Sequence, residues 1–464
     1  MTAAPAAAPV HQRHPASPDH ERAVEALRTS YAAIPEGTLI RLEKAKRNVS
    51  RFRAPLPRPG LDVSAFDRVL HLDTQARTVS VGGMMTYEDL LDVTLMYGLK
   101  PKVVPSFRTV TVGGAVAGLG IEASSFRAGM PQESVLEMEI LTGGGEVVTA
   151  RRDNEHAALF RAFPHSFGSL GYALRLTIEL EPVKPYVWLR RVRFGSATDC
   201  SAAVASITES RQYSGQQVDF MDGWALSPEE LYLTLGTFVD EAPAVSDYTG
   251  SQIYHRSISR RSSDHMRVQD FLYRFDTDMF YSAKDLGLAN PVVRALWPRA
   301  KRRSDVYFGI VAADARKGIS ERLGRWTGRR MDMVFQDPNV PLARLGEFLQ
   351  FVEGKLGIMP AWFCPLKPAE QWSLYPVEPG SLNVTVGFWG QVPLRNEHEA
   401  GHFNRLVEEK VTELGGHKPV MSSGHYPEDE FWSIYGGSEF WRVRETYDPR
   451  GRLVNLYDKC VRAL

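Results

Sequence analysis

Apolar and polar positions alternate with a period of two at Leu174, Leu176, Ile178 and Leu180, which predicts a strand with one buried face. Upstream, two β-type runs at 68–72 and 78–81 are joined by a polar turn. The period then switches to helical spacing at Tyr87, Leu90, Leu91, Thr94 and Leu95, behind an N-cap candidate at Thr86 and ahead of Gly98. Runs 135–141 and 146–149 flank Thr142-Gly143-Gly144-Gly145 and predict a hairpin. A short helix around 156–161 precedes Gly168 and Gly171, which bracket a turn into the alternating strand. A helix over 21–32 is expected before all of these, and Pro182 to Pro185 mark a link after them. Beyond the link, strands at 187–194 and 231–235 alternate with helical patterns at 341–354 and 397–414. The last has His402, Leu406 and Val407 among its recurring positions and stops at Gly415-Gly416. The pattern is α+β, without an internal repeat of solenoid period.

The segment from Thr111 to Ser125, TVGGAVAGLGIEASS, concentrates glycine and small residues ahead of a strand. Gly113, Gly114, Gly118 and Gly120 lack a Cβ, can take φ > 0, and leave successive N–H groups free to converge on an anion such as a pyrophosphate. Glycine pairs also mark ordinary hairpins and bulges. The segment lacks the Gly-Lys-Ser/Thr ending of a Walker loop and the spacing of a Rossmann fingerprint.

In order along the chain, residues 41–182 resemble the FAD-binding domain of vanillyl-alcohol-oxidase-type flavoproteins. More narrowly, TVGGAVAGLGIEASSFRAG, KRNVSRFR at 46–53, AWFCP from Ala361, EFW at Glu430 and LYDK at Leu456 are similar to segments of the Δ24-sterol reductases. The resemblance implies an α+β chain with a two-subdomain FAD-binding domain at 21–185, a substrate or cap domain at 186–395, and a C-terminal segment, 396–464, returning to the flavin. It implies FAD contacts from Asn48, Ser50, Arg53, Thr111, Val112, Gly113, Gly114, Gly118, Gly120, Ile121, Glu122, Ser124, Ser125, Gly168 and Gly171. Covalent attachment in such proteins uses histidine, alone or with cysteine. The matching loop 47–53 has neither, and His165 stands outside the linking pattern, so the FAD is expected to be noncovalent.

Within that branch the implied reaction is reduction of a carbon–carbon double bond of a lipid, with NADPH as electron donor. Bacterial relatives convert a 10-methylene phospholipid acyl chain to the 10-methyl form after a methyltransferase has installed the methylene. Residues 1–20 are rich in Ala, Pro and His and read as a disordered tail rather than the membrane anchor of the sterol reductases. With the Ala/Arg-rich composition, this favours the acyl substrate over a sterol or isoprenoid. An alcohol or sugar oxidase using oxygen, and a nonenzymatic flavin- or lipid-binding module, are the rival classes.

A chain of 464 residues can bury at least two cores, and its formal net charge of zero offers no argument for nucleic-acid binding. Cys200, Cys364 and Cys460 are too few and too scattered for a disulfide framework, and a reducing cytoplasm is expected. Cys364, in an aromatic setting, reads as a packing thiol. No run approaches about 18 apolar residues, so membrane contact is expected to be peripheral. Basic runs at 44–53 and 298–303 are solvated faces or headgroup contacts; Lys301, Arg302 and Arg303 stand beside Leu296 and Trp297.

Alkene reduction needs a proton donor opposite the hydride. Tyr426, His425 and Glu122 are the catalytic candidates. Asp276 and Asp278 are expected to form salt bridges, with Arg274 as partner. His255 and His265 lack metal-ligand spacing, and no metal site is expected.

Overall fold

The computed structural model describes residues 17–43, 60–317, 330–395 and 398–463. Asn48, Ser50 and Arg53, and with them the basic run 44–53, lie outside the described residues. The first strands, β1 (Leu42–Glu43) and β2 (Leu61–Asp62), form a small parallel pair.

A six-stranded antiparallel sheet follows. Its strands are β3 (Val69–Asp73), β4 (Thr78–Gly82), β5 (Leu99–Pro101), β6 (Val135–Leu141), β7 (Val147–Ala150) and β8 (Tyr172–Pro182), in the order β3-β4-β8-β6-β7 with β5 also on β8. β8 buries Leu174, Leu176, Ile178 and Leu180 on one face, as the alternation predicts. The helix Tyr87–Thr94 is capped by the Thr86 side chain, and the 3-10 turn after it ends at Gly98, whose φ of 66° suits glycine. The expected hairpin forms between β6 and β7.

The second sheet holds β9 (Tyr186–Phe194), β12 (Phe220–Ser227), β13 (Glu230–Val239), β14 (Ser263–Arg267), β15 (Met331–Gln336), β17 (Ala361–Leu366) and β18 (Asn383–Pro393), in the order β14-β9-β13-β12-β17-β18-β15. A short β16 (Asn339–Pro341) adds to β18, and β10 (Gln212–Tyr213) pairs with β11 (Gln216–Gln217) apart from both sheets. Strands β12 and β17 are buried on both faces, and the period of two sorts their side chains. Met221, Ala225, Ala361 and Phe363 pack under the helices Ala197–Ser210 and Leu345–Phe351. Phe220, Trp224, Trp362 and Cys364 enter the larger core, which also contains the first sheet. Burying each such aliphatic or aromatic side chain is worth roughly 1.5–3 kcal/mol.

Three predicted elements change. The first helix is Pro18–Ala32, so residues 18–20 are not tail: Ser17 Oγ accepts the His20 N–H, and the buried His20 ring bonds Glu139 at 2.7 Å. The helical pattern at 341–354 starts with strand β16, and Gly357, at φ 64°, ends the helical turns instead of Gly354. The late amphipathic helix is only His402–Glu413, because Gly401 at its start has φ 90°; its inward face is Asn404, Val407, Glu408 and Val411 rather than His402 and Leu406. The C-terminal helices return to the first sheet, where Gly144 N–H donates to Tyr447 O and His156 Nδ1 lies 2.8 Å from the Tyr447 hydroxyl.

Candidate functional site

The glycine segment is a helix, Val112–Ala117, rather than an open loop. Thr111 caps it, with its Oγ1 accepting the Gly114 N–H at 3.1 Å, and Gly113 N–H donates to Gly83 O at 3.0 Å. Gly118 N–H returns to Gly114 O at 2.9 Å. These three amides are therefore used inside the protein, and none of Gly113, Gly114, Gly118 and Gly120 has positive φ. The expectation that they need left-handed backbone is corrected: what they need is room. A Cβ on Gly113 would lie 2.7 Å from Gly83 O, and one on Gly120 would lie 2.9 Å from Pro131 Cγ. Gly114 is exposed.

The second glycine turn meets this helix. Phe167 N–H donates to Ala117 O at 2.7 Å, and a Cβ on Gly118 would rest 3.4 Å from the Phe167 ring. Here Gly168 (φ 77°) and Gly171 (φ 136°) do take positive φ, as do His165 and Phe167. Ser166 Oγ is buried with no partner among the described residues. Lys459, buried in the C-terminal LYDK segment, donates to Phe167 O at 3.0 Å. Two turns about fifty residues apart in sequence thus form one junction. His165 is committed to the core: Nδ1 lies 2.8 Å from Leu374 O and Nε2 accepts the Val420 N–H at 3.1 Å.

Ile121 and Val112 point into the core, so only their backbone is open to a ligand. Ser124 Oγ donates to Lys102 O, and Ser125 Oγ accepts the Glu122 N–H at 2.9 Å. The loop also joins the two sheets, because Met221 N–H donates to Ala123 O and Lys367 N–H to Ser125 O. Arg127, one turn on, donates to both oxygens of Glu181 at 2.6 Å and to Asp219 O at 2.8 Å. Burial opposes ionisation of Glu181, but Lys100 and Arg127 together hold it at about 2.

Glu122 is only partly buried by area, yet its carboxyl is enclosed enough that desolvation pushes it up to about 7. The Ser106 N–H and hydroxyl pull the other way, as does Arg274, while Asp222 adds to the rise. A carboxyl so poised is roughly half protonated at neutral pH and can both hold and give up a proton. Arg274 is buried, pairs with Asp222 on β12, and stacks on Phe271 and Phe275. The expected pairing with Asp276 or Asp278 does not form. Asp278 pairs with Arg294, and Asp276 accepts from Arg108 N–H and the Ser304 hydroxyl. Register explains this, since Asp222 lies on the same face of β12 as Phe220 and Trp224, against which the 271–281 segment packs.

That face carries an aromatic group. Phe275 and Phe280 stack at 4.4 Å, with Trp224, Tyr281, Trp362 and Trp389 around them. Asp337 beside Trp389 is pushed up to about 7 by burial. Cys364 lies on the same face, its thiol pushed up by burial; all three cysteines are buried and free.

His425 and Tyr426 stand in another network. Tyr426 is 2% exposed, its hydroxyl 3.5 Å from that of Tyr435, and burial raises it. His425 N–H donates to Glu408, which pairs with buried Lys418, and burial lowers the His425 ring. Glu122 instead belongs with Ser106, Arg274 and Asp222. Ser106, Asp222, Ser166 and Lys459 escaped sequence reasoning; only Lys459 carried a signal there, as the end of LYDK. Among the described residues no group of three His, Cys, Asp or Glu side chains is placed to hold a metal.

Residues 57–151 match the family described as FAD binding domain. The chain is similar to the Δ24-sterol reductase of Homo sapiens, 24% identical over 409 residues, covering 85% of this chain and 76% of that protein. Similarity to the Δ24-sterol reductase of Arabidopsis thaliana is 25% over 436 residues, covering 86% and 76%. Cytokinin dehydrogenase 6 of Oryza sativa is 38% identical over 113 residues, 24% of this chain and 21% of its own length.

Proposed function

We propose that this chain, an FAD-dependent oxidoreductase with a PCMH-type FAD-binding domain and related to the Δ24-sterol reductases, reduces a carbon–carbon double bond of a lipid. The observation that carries the reading is Glu122, a carboxyl held near neutrality between the glycine junction and the aromatic face of the second sheet.

The residues present fit FAD. Gly114, exposed and without a Cβ, lets a ligand approach the helix closely, Gly168 gives a left-handed turn, and Ser166 a buried hydroxyl in want of a partner. Asn48, Ser50 and Arg53 remain FAD contacts proposed from the sequence alone. Noncovalent binding is supported by His165, whose two ring nitrogens are both engaged. When bound, FAD supplies the hydride that one alkene carbon receives. Glu122 supplies the proton to the other carbon from a carboxyl oxygen, oriented by its two bonds from Ser106. Trp224, Phe280, Trp362 and Trp389 form the apolar wall that excludes water around the alkene.

The Δ24-sterol reductases among the relatives favour a sterol- or isoprenoid-type alkene over the 10-methylene acyl chain. NADPH as donor follows the same analogy. Anaerobic photometry tests the reading. NADPH bleaches the flavin, and a sterol with a Δ24 double bond restores its colour. Recovery with a 10-methylene phospholipid alone returns the acyl substrate and its methyltransferase partner, whereas bleaching by an alcohol and recovery with oxygen make the protein an oxidase.

A further inference from the structure

The helix Pro291–Leu296 is one-sided. Its Arg294 turns inward, pairs with Asp278, and donates to Gly250 O at 2.7 Å and to Tyr248 O and Gln252 O at 3.2 Å. Outward it presents Val292, 66% exposed, Val293, and Leu296, 80% exposed. A rigidly anchored helix with its apolar residues in water is not part of any core. Residues 289–303 hold five Arg and Lys and no Asp or Glu.

The structure corrects which of these cations reach solvent. Arg302 is buried and donates to Thr249 O, Gly250 O and Trp297 O, and Arg303 is bonded to Glu88 at 2.7 and 2.9 Å. Trp297 is only partly buried and packs on Tyr307, leaving Leu296 and Lys301 as the exposed members of the predicted cluster. Other cations take the place of the two arginines. A cavity of about 120 Å³ beside the helix is lined by Pro291, Ala295 and exposed Arg256. Next to it, sharing Ser251, is an open cavity of about 790 Å³ lined by Val245, Ser246, Asp247, Arg261 and Arg299 among others. Arg256 at the smaller cavity, Arg261 and Arg299 at the larger one, and Lys301 after the helix are exposed; in the larger cavity Asp247 pairs Arg299 and Asp264 lies 3.7 Å from Arg261.

We infer that helix Pro291–Leu296, with these exposed cations about it, docks on an anionic phospholipid surface. Apolar side chains on a fixed platform insert between acyl chains while guanidinium and ammonium groups meet phosphate, which is how peripheral proteins hold a membrane. The charge complementarity selects a lipid surface over a second copy of the chain, whose matching face would be equally positive. Among the described residues no helix is long and apolar enough to cross a membrane. The inference rests on the lipid-substrate reading for its purpose, and its test does not use the reaction.

The test is sedimentation of the FAD-loaded protein with vesicles of saturated phosphatidylcholine, alone or mixed equally with saturated phosphatidylserine, which contain no reducible alkene. Binding is expected to the mixed vesicles only and to weaken as salt rises. Leu296→Asp should lower partitioning at least tenfold and Lys301→Ala about fivefold, on the order of one cation's contribution. Flavin content and melting temperature serve as the check that both variants fold. Equal binding of Leu296→Asp and the parent, or equal binding to neutral vesicles, overturns the inference. So does a parent dimer that Leu296→Asp converts to monomer, because the patch would then belong to a second copy. A docking failure leaves the alkene test above standing, since that assay runs on detergent-dispersed substrate.

Discussion

The Glu122 carboxyl accepts hydrogen bonds at both oxygens from one residue: the Ser106 N–H reaches Oε1 at 2.6 Å and the Ser106 hydroxyl reaches Oε2 at 2.7 Å. Both bonds favour the ionised carboxylate, and burial still outweighs them, bringing the group to about 7. Because the acid must hold its proton to donate it, reoxidation of reduced flavin by the alkene should fall as pH rises through about 7. Ser106→Ala removes one stabilising bond and should move that fall to higher pH. Glu122→Gln should slow reoxidation by ~10²–10⁴ while NADPH still bleaches the flavin. Tyr426→Phe and His425→Ala are the comparison, and a loss confined to either of them transfers the donor role there.

The same carboxyl sets a stability prediction. Its folded-state value is raised above the unfolded one, so its contribution is fully present below the ordinary carboxylate range and is lost as pH climbs through about 7. Denaturant midpoints of the parent should therefore decline between about pH 5 and pH 8 by more than those of Glu122→Gln. The difference should be roughly 2–3 kcal/mol at most, less whatever water reaches the partly exposed group. Parallel pH profiles for the two proteins would remove the assignment.

Gly113 and Gly114 separate folding from flavin binding. A Cβ on Gly113 meets the main-chain oxygen of Gly83 at 2.7 Å, which cannot yield, so Gly113→Val should fail to fold. On exposed Gly114 the nearest atom is the Thr111 hydroxyl, also at 2.7 Å, and displacing that cap costs about 1 kcal/mol. Gly114→Val should therefore melt within a few degrees of the parent yet purify largely colourless. Acid precipitation of the parent should leave the yellow chromophore in the supernatant; colour in the pellet would contradict noncovalent binding.

Asp222→Asn leaves the Arg274 guanidinium buried without its counter-charge and should cost about 3–5 kcal/mol in urea unfolding. Asp222 also raises Glu122, so in the surviving protein the pH-dependent fall in reoxidation should move to lower pH. A shift to higher pH would show that the two groups are not coupled in this way.

Much of the fold was legible because local rules carried it. Alternation at Leu174 to Leu180, the Thr86 cap and the β6–β7 turn all depend on neighbours a few residues away. The glycine segment was misread in form because closeness of packing and left-handed backbone leave the same residue in the sequence. Only the structure shows Gly83 behind Gly113. Arg274 illustrates a different limit. Its partner was sought two and four residues away, whereas strand register brings Asp222 from fifty-two residues upstream. Candidate site residues were readable as types, but whether a carboxyl holds its proton depends on enclosure, and enclosure is a property of the assembled sheets.

The main-chain bonds from Met221 to Ala123 and from Lys367 to Ser125 fasten the Glu122 loop to the second sheet from both sides. The acid is thus mounted on the seam rather than on either wall. Any breathing motion that parted the sheets here would carry the proton away from Ser106 at the same moment that it admitted water. Entry of a long alkene is better served by a path that leaves the seam shut, so amide exchange at Met221 and Lys367 should stay slow even while substrate comes and goes.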